Sequence, residues 1–226
     1  MMRVSKAVLI SIRPKWCEKI ASGEKTIEVR RTRPKLEPPF KVYIYCTKAE
    51  ERLITILKDG DENYGEIYHG KPVFIKTNKP DNLYAYGHSC AVIGEFTCDR
   101  IYELAPLNHA PDDVEQQSCL TREDIVQYLR GTGYGWHISD LRIYDTLREL
   151  SEFWLYNEGL HKRYDAGEDF CCYDASDENG EALTDCGEAY NDIRNCYRCW
   201  NEWSGWCRRL KRPPQSWCYV EECGHA

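Results

Sequence analysis

Long apolar runs are absent from this sequence. The longest near its beginning, Ala7–Ile12, has only six residues, far fewer than a bilayer-crossing helix needs. The longer apolar region of a secretion signal is also missing. We therefore expect a soluble, cytoplasmic protein. With 226 residues and 42% apolar content, the chain can build one domain with an elaboration, or two small domains.

Acidic residues are scarce in residues 1–48, and basic residues are absent from residues 165–192. Residues 1–48 contain twelve Lys and Arg but only four Asp and Glu, a balance of +8, so a net charge of −7 leaves −15 for residues 49–226. Residues 165–192 contain ten acids and no Lys or Arg. The basic part can bind a polyanion such as nucleic acid on one face, unless the charges interleave in space.

The number of cysteines is odd, so at least one of them has no partner for a disulfide bond within the chain. The thirteen cysteines and the absence of an export signal make a full disulfide framework unexpected. Eight of them lie between Cys171 and Cys223, in and after the acidic stretch.

Four of these cysteines have a spacing that suits a metal. They follow the pattern C-x₉-C-x₂-C-x₇-C, and the central C-x₂-C pair lets two thiolates bind one tetrahedral ion. We expect a structural Zn²⁺ site here and no other cofactor, with reduced, unliganded cysteines as the alternative. The predicted ligands are Cys186, Cys196, Cys199 and Cys207, with Cys171 and Cys172 as alternates for the fourth position.

A helix followed by a strand forms the stretch around which the chain is organised. Pro14 is typical of the first position of a helix, which we predict over residues 13–20. Gly23 favours the left-handed residue that ends such a helix. From Thr26 the pattern alternates with a period of two, which indicates a strand.

Three charged residues of this stretch, Lys25, Glu28 and Arg30, are predicted to lie close together. An acid between two bases on a rigid strand suits a phosphate, a polar nucleobase edge or a proton transfer. The alternative is a solvated strand face with cross-strand ion pairs. Arg13 and Lys15, at the start of the helix, are further candidates for ligand contact.

The same stretch resembles a known family. Gly23, Lys25, Glu28 and Arg30 fit G-x-K-x-x-E-x-R, the signature of the ASCH domain of the PUA-like superfamily. Other segments, in the expected order, resemble the phage and prophage branch of that family. They are residues 8–15, 93–99, 136–141 and 212–220.

The resemblance implies an α+β fold, a PUA-like small mixed β-barrel with flanking helices. Residues 1–157 and 211–226 would form this barrel, with the last strand within 212–222. Residues 158–210 would be an acidic, Cys-rich insertion before that strand. In this family the signature residues line a cleft in which relatives bind RNA or a modified base, so RNA or a nucleotide is the expected partner. Trp136 and His137 are secondary cleft candidates, able to stack on a base and bond its edge.

Two other functions stay open. One is a hydrolase, a ribonuclease or an amidohydrolase, in which Glu28 would act as general base and Lys25 would stabilise an oxyanion. The amidohydrolase branch has a threonine in place of Glu28, so its nucleophile does not carry over. The other is a phage-encoded interaction module that binds a protein partner through the acidic insertion.

Further patterns predict local structure. Residues 41–47 alternate as a strand whose tyrosines, Tyr43 and Tyr45, either form a base-stacking platform or pack in the core. Residues 50–58 are predicted to form a short helix. Thr121 and Asp124 have the spacing of a capping box at the start of another helix.

Overall fold

The computed structural model describes residues 5–48, 90–104, 110–158 and 208–222, and the backbone of residues 52–56, 73–77 and 85–87. In this part of the chain the fold is mixed α+β and mostly sheet. The helices are α1 (Pro14–Ala21), α2 (Val114–Ser118) and α3 (Arg122–Leu129), with a 3₁₀ turn at Leu150–Glu152. The strands are β1 (Lys6–Ile12), β2 (Ile27–Arg30), β3 (Phe40–Cys46), β4 (Arg52–Ile56), β5 (Val73–Thr77), β6 (Ala85–Gly87), β7 (Ala91–Cys98), β8 (Ile101–Glu103), β9 (Tyr134–His137), β10 (Ser139–Arg148) and β11 (Trp217–Glu221).

The chain divides into two compact units. The first comprises residues 8–150 and 212–218, and the second comprises residues 1–7, 151–211 and 219–226. In the second unit, the Lys6 ammonium lies 4.6 Å from the ring centre of Tyr156 and 4.5 Å from that of Tyr219. Most of the predicted insertion, residues 158–210, lies outside the described residues, so its boundaries stay a prediction.

The described strands form three sheets and no closed barrel. Their orders are β10-β7-β3-β1-β11, β2-β9-β8 and β5-β4-β6. The expected barrel is therefore corrected to open sheets, because β10 and β11 form opposite edges of the largest sheet and do not pair. The last strand, β11, does lie at an edge, beside β1.

The helix ends follow the signals in the sequence. Pro14 opens α1, and Gly23 has the left-handed backbone, with φ of +80°, just beyond its end. At the start of α3, the Asp124 amide donates to Thr121 Oγ1 at 3.1 Å, and the Thr121 amide donates to the Asp124 carboxylate at 3.3 Å. The predicted capping box is therefore confirmed.

Strand pairing decides one expectation from the sequence, and side-chain burial decides another. The helix predicted over residues 50–58 is wrong, since β4 pairs there with β5 and β6; the β-branched run Ile54-Thr55-Ile56 favours a strand. Tyr43 and Tyr45 are 0% and 4% exposed. They therefore pack in the core and present no stacking platform.

A small core supports β2 from one side. The buried side chains of Ile27 and Val29 pack with residues of α2, α3 and the end of β8, namely Leu104, Val114, Ile125 and Leu129. Because successive residues of a strand point to opposite faces, Glu28 and Arg30 project away from this cluster. The apolar anchor thus fixes the direction in which the charged pair points.

Candidate functional site

A cleft of about 670 Å³ lies in the first unit, along β2. Its walls come from the end of β1, the start of α1, β2 itself, and the segment that joins α2 to α3. Lys25, Glu28 and Arg30 line it, together with Arg13, Lys15 and Trp16 from the start of α1. The structure therefore brings five of the seven predicted ligand-contacting residues to one cavity.

Lys25 is buried in the wall of this cleft, with only 2% of its surface exposed. Its ammonium donates to the carbonyl oxygens of Ile27 at 2.8 Å and Ser118 at 2.7 Å. The Glu28 carboxylate lies 3.4 Å away on the third side. An ammonium has three hydrogens to donate, so these partners account for all of them.

Burial lowers the pKa of Lys25, and the neighbouring Glu28 carboxylate partly opposes that shift. The Glu28 carboxylate thus offsets part of the cost of burying the Lys25 ammonium.

Arg30 completes the group on the other side of Glu28. Its NH2 nitrogen lies 2.9 Å from Glu28 Oε1 and donates to the Ser11 carbonyl at 2.7 Å. NH1 donates to Ser216 Oγ at 3.3 Å. Among the described residues, Arg30 Nε has no hydrogen-bond partner. We call Lys25, Glu28 and Arg30 the cleft floor.

The cleft rim differs from the floor because its side chains reach solvent. Arg13 and Lys15 are exposed, and Trp16 is half-buried. The Lys15 ammonium lies 4.7 Å from the Trp16 ring centre, and that of Lys25 lies 5.1 Å from it. Tyr128 of α3, 42% exposed, also lines the cleft. We call Arg13, Lys15, Trp16 and Tyr128 the cleft rim.

Positive charge dominates the lining. Four cationic side chains (Arg13, Lys15, Lys25 and Arg30) face two carboxylates, those of Glu28 and Asp124, so the lining carries a net charge of +2. The floor alone contributes +1 of this. Concave surfaces with an excess of one sign concentrate ligands of the opposite sign.

Two predicted cleft residues lie elsewhere. Trp136 is fully buried, where it packs at 6.1 Å against Phe40 and at 6.0 Å against Trp217. His137 lies outside the cleft lining, with Nδ1 at 2.6 Å from an Asp99 oxygen. Trp136 is the register partner of Glu28, so it belongs to the structure that supports the floor.

Other lining residues have no signal in the signature stretch. Cys119, Asp124 and Tyr128 come from a segment about ninety residues further along the chain. The Ser118 carbonyl, a main partner of Lys25, is a backbone atom, so no side-chain pattern marks it. The contact between the Thr26 amide and the Gln117 carbonyl at 2.8 Å, which docks this segment on β2, is equally invisible to local patterns.

The geometry also bears on acid–base chemistry. Both Glu28 oxygens already face a cation, Oε1 towards Arg30 and Oε2 towards Lys25. A general base must reach the proton that it takes. Each carboxylate oxygen can accept more than one hydrogen bond, so these two ion pairs hold Glu28 in place and do not by themselves keep it from a substrate.

The predicted zinc ligands Cys186, Cys196, Cys199 and Cys207, and the alternates Cys171 and Cys172, lie outside the described residues. Within the described residues no group of three or more potential metal ligands occurs. The zinc site stays a prediction, and elemental analysis of the purified protein would test it. Among the described residues, no helix is long and apolar enough to cross a bilayer.

Comparisons with known proteins add the following. No protein-family model matches the chain, and no curated protein matches it. Among solved structures, it is similar to the ASCH protein of Zymomonas mobilis, with 17% identity and a TM-score of 0.42 over 65% of this chain and 77% of that one. Two single-substitution variants of that protein match alike, with 16% identity and a TM-score of 0.42 for one, and 17% and 0.43 for the other. All three are named as ASCH proteins. The phage and prophage branch stays a prediction.

Proposed function

We propose that the cleft recognises RNA or a nucleotide. The observation that carries this proposal is the arrangement of two exposed cations, Arg13 and Lys15, and two aromatic rings, half-buried Trp16 and exposed Tyr128, above a buried cationic floor. Nucleotides combine an anionic phosphate with an aromatic base, and this cleft offers a partner for each. The positive excess of its lining, on a chain with a net charge of −7, favours an anionic ligand at this place.

The floor and the rim have separate roles in this proposal. All three hydrogens of the Lys25 ammonium are engaged, so Lys25 acts on a ligand through its charge and through the shape that it maintains. Arg13 and Lys15 are exposed, and Lys15 can leave its contact with the Trp16 ring to reach a phosphate, where charge-assisted hydrogen bonds are strong.

The aromatic part of the ligand is expected to meet Trp16 or Tyr128. Unstacked bases commonly lie on aromatic side chains or on arginine planes in RNA-binding proteins. Stacking of a base on an aromatic ring tolerates every sequence, because every base has a π-face. The cleft therefore predicts affinity for nucleotides without fixing the base.

The test removes the exposed charges and leaves the floor intact. We expect the double substitution Arg13→Ala/Lys15→Ala to weaken binding of single-stranded RNA by about tenfold and to reduce the slope of log K against log salt by about 1.4, about 0.7 for each charge removed. Fluorescence anisotropy at several salt concentrations measures both quantities.

A matched control is Lys48→Ala/Arg122→Ala, which also removes one lysine and one arginine. Both residues are exposed and neither lines the cleft. The proposal predicts that this variant binds more tightly than the cleft variant. Equal losses in the two variants, or no loss in either, would refute a nucleotide site in the cleft.

A further inference from the structure

Two exposed arginines follow directly after β2, and each lies over a tyrosine ring. The Arg31 guanidinium is 5.2 Å from the ring centre of Tyr128, and that of Arg33 is 5.7 Å from the ring centre of Tyr134. We call these two pairs the arginine track. Each arginine is exposed, although it is stacked on an aromatic face.

The backbone around the track is held in place. Arg31 Nε donates to the Tyr128 carbonyl at 2.8 Å. Trp217 Nε1 donates to Thr32 Oγ1 at 3.0 Å, which ties down the residue between the two arginines. The Arg31 guanidinium and the residue between the two arginines are thus held before any ligand arrives, and this reduces the entropy that binding must spend on ordering them.

The charges of the track are available. In the described part of the chain, no carboxylate forms an ion pair with Arg31 or Arg33. An exposed ion pair would in any case contribute little stability. Here, however, two such arginines lie two residues apart and both are stacked, so the track presents two planar cations in sequence.

The track begins at the cleft. Tyr128 carries Arg31 on its ring and also lines the cleft rim. Arg33 lies two residues further along the loop, on Tyr134, the register partner of Arg30. A chain leaving the cleft past Tyr128 therefore meets Arg31 first and Arg33 next.

We propose that the arginine track binds the nucleotides flanking the one in the cleft, so that the ligand is a single-stranded RNA and not a free nucleotide. This inference rests on the proposed function of the cleft. Each guanidinium offers one face to a flanking base and its N–H edge to the adjoining phosphate. In a duplex the base faces are covered by neighbouring pairs, so the track selects unpaired RNA.

A third arginine–tyrosine pair provides an internal reference. The Arg100 guanidinium lies 5.8 Å from the ring centre of Tyr102, a distance close to those of the track, and it also donates to the Tyr102 hydroxyl at 3.5 Å. Tyr102 is the register partner of Gly135, one position along β9 from Tyr134. Because the side chains of a strand alternate between faces, Tyr102 lies on the opposite face of this sheet from Tyr134. Tyr102 packs against the small core beneath β2, and the pair does not line the cleft.

The experiment compares RNA length with arginine position. Fluorescence anisotropy is measured with three labelled probes: a mononucleotide, a single-stranded RNA of about ten nucleotides, and a duplex of the same length. The length of about ten nucleotides lies within the range of single-strand site sizes. The variants are Arg31→Ala/Arg33→Ala, Arg31→Lys/Arg33→Lys and the reference Arg100→Ala. Arg13→Ala/Lys15→Ala reports on the cleft.

We expect the alanine variant of the track to bind the single strand about tenfold more weakly and the mononucleotide as tightly as the unaltered protein. The lysine variant should keep the salt dependence but recover only part of the affinity, since it retains the charge and loses the planar stacking. Arg100→Ala should leave all three probes unaffected.

The inference fails if the single strand binds no better than the mononucleotide, if the duplex binds as tightly as the single strand, or if Arg100→Ala matches the track variant. The cleft proposal fails separately, if Arg13→Ala/Lys15→Ala leaves mononucleotide binding unchanged. Circular dichroism of each variant distinguishes lost binding from lost folding.

Discussion

The floor and the rim of the cleft contain the same kinds of side chain in opposite situations. Lys25 and Arg30 on the floor are almost fully buried and bonded to Glu28, to backbone carbonyls and to Ser216. Arg13 and Lys15 on the rim are exposed. One pair of cations maintains the shape of the site, and the other pair is available to a ligand.

This difference shows that a charged signature need not be the contact surface. Burying a charge costs several kcal/mol unless it is paired, so residues that accept this cost must have their partners built around them. The signature residues of β2 have those partners.

The largest effect is expected on the floor. Glu28→Ala leaves Lys25 and Arg30 buried without their shared carboxylate, and breaking a buried pair costs about 3–5 kcal/mol. Urea unfolding should show this loss in the free energy of unfolding. The matched control, Glu24→Ala, removes an exposed acid that pairs with Lys19 at 2.8 Å and should leave the unfolding midpoint nearly unchanged. Similar midpoints for the two variants would mean that the floor is solvated.

The rim should respond in binding and not in stability. Tyr128→Ala removes an exposed ring from the cleft, and loss of a base-stacking contact is worth about 1–3 kcal/mol of binding free energy. RNA titration followed by anisotropy measures it. Val126→Ala, on the same helix and 56% exposed, does not alter the cleft lining and serves as the control. If both variants bind RNA equally well, Tyr128 does not contact it.

The link between rim and floor should show a smaller effect. Gly23 joins α1 to Lys25 with a φ of +80°, and nothing crowds the position where its Cβ would be. Gly23→Ala therefore adds only backbone strain, about 1–2 kcal/mol for a left-handed residue other than glycine. Thermal unfolding tests this value. A variant as stable as the unaltered protein would show that this turn relaxes without cost.

The smallest effect concerns pH, and its sign differs between two lysines. Burial lowers the pKa of Lys25 in the folded protein, so the unfolded chain binds more protons between that pKa and the ordinary value of about 10.4. Through Lys25, stability therefore rises with pH in this window. The Glu24 hydrogen bond raises the pKa of Lys19. The stability that Lys19 contributes is therefore fully present at pH values below the ordinary pKa of lysine, and it is lost as pH rises through the pKa of Lys19 in the folded protein.

Unfolding of Lys25→Met and Lys19→Met at several alkaline pH values, compared with the unaltered protein, tests these signs. The free energy of unfolding of Lys25→Met should rise less with pH than that of the unaltered protein. That of Lys19→Met should fall less with pH than that of the unaltered protein. The same pH dependence in both variants would contradict the assignment of Lys25 as buried and Lys19 as exposed.

The sequence predicts those features that depend on neighbours in the chain. Pro14, Gly23 and the Thr121–Asp124 box mark helix ends because capping involves residues only a few positions apart. The alternation after Thr26 places Glu28 and Arg30 on one face for the same reason, and the structure brings them together with Lys25. Their role in ligand binding stays a prediction.

Features that depend on distant segments could not be predicted. The docking of Gln117 and Ser118 onto the signature stretch creates the burial of Lys25, and it joins residues about ninety positions apart. Trp136 next to His137 suggests a ligand contact by residue type, yet Trp136 is enclosed by Phe40 and Trp217. Whether the sheets stay open or close into a barrel likewise depends on which edge strands pair. No local sequence pattern predicts the pairing of distant edge strands.

The contact between Arg30 and the Ser11 carbonyl has a geometric consequence. It links β2 and β1 through a side chain, whereas neighbouring strands of a sheet are held by their backbones at about 4.8 Å. The reach of one guanidinium therefore matches the distance between these two strands at the cleft. Arg30 thus acts as a strut between the two strands, and a shorter residue there would lose the bond to the Ser11 carbonyl.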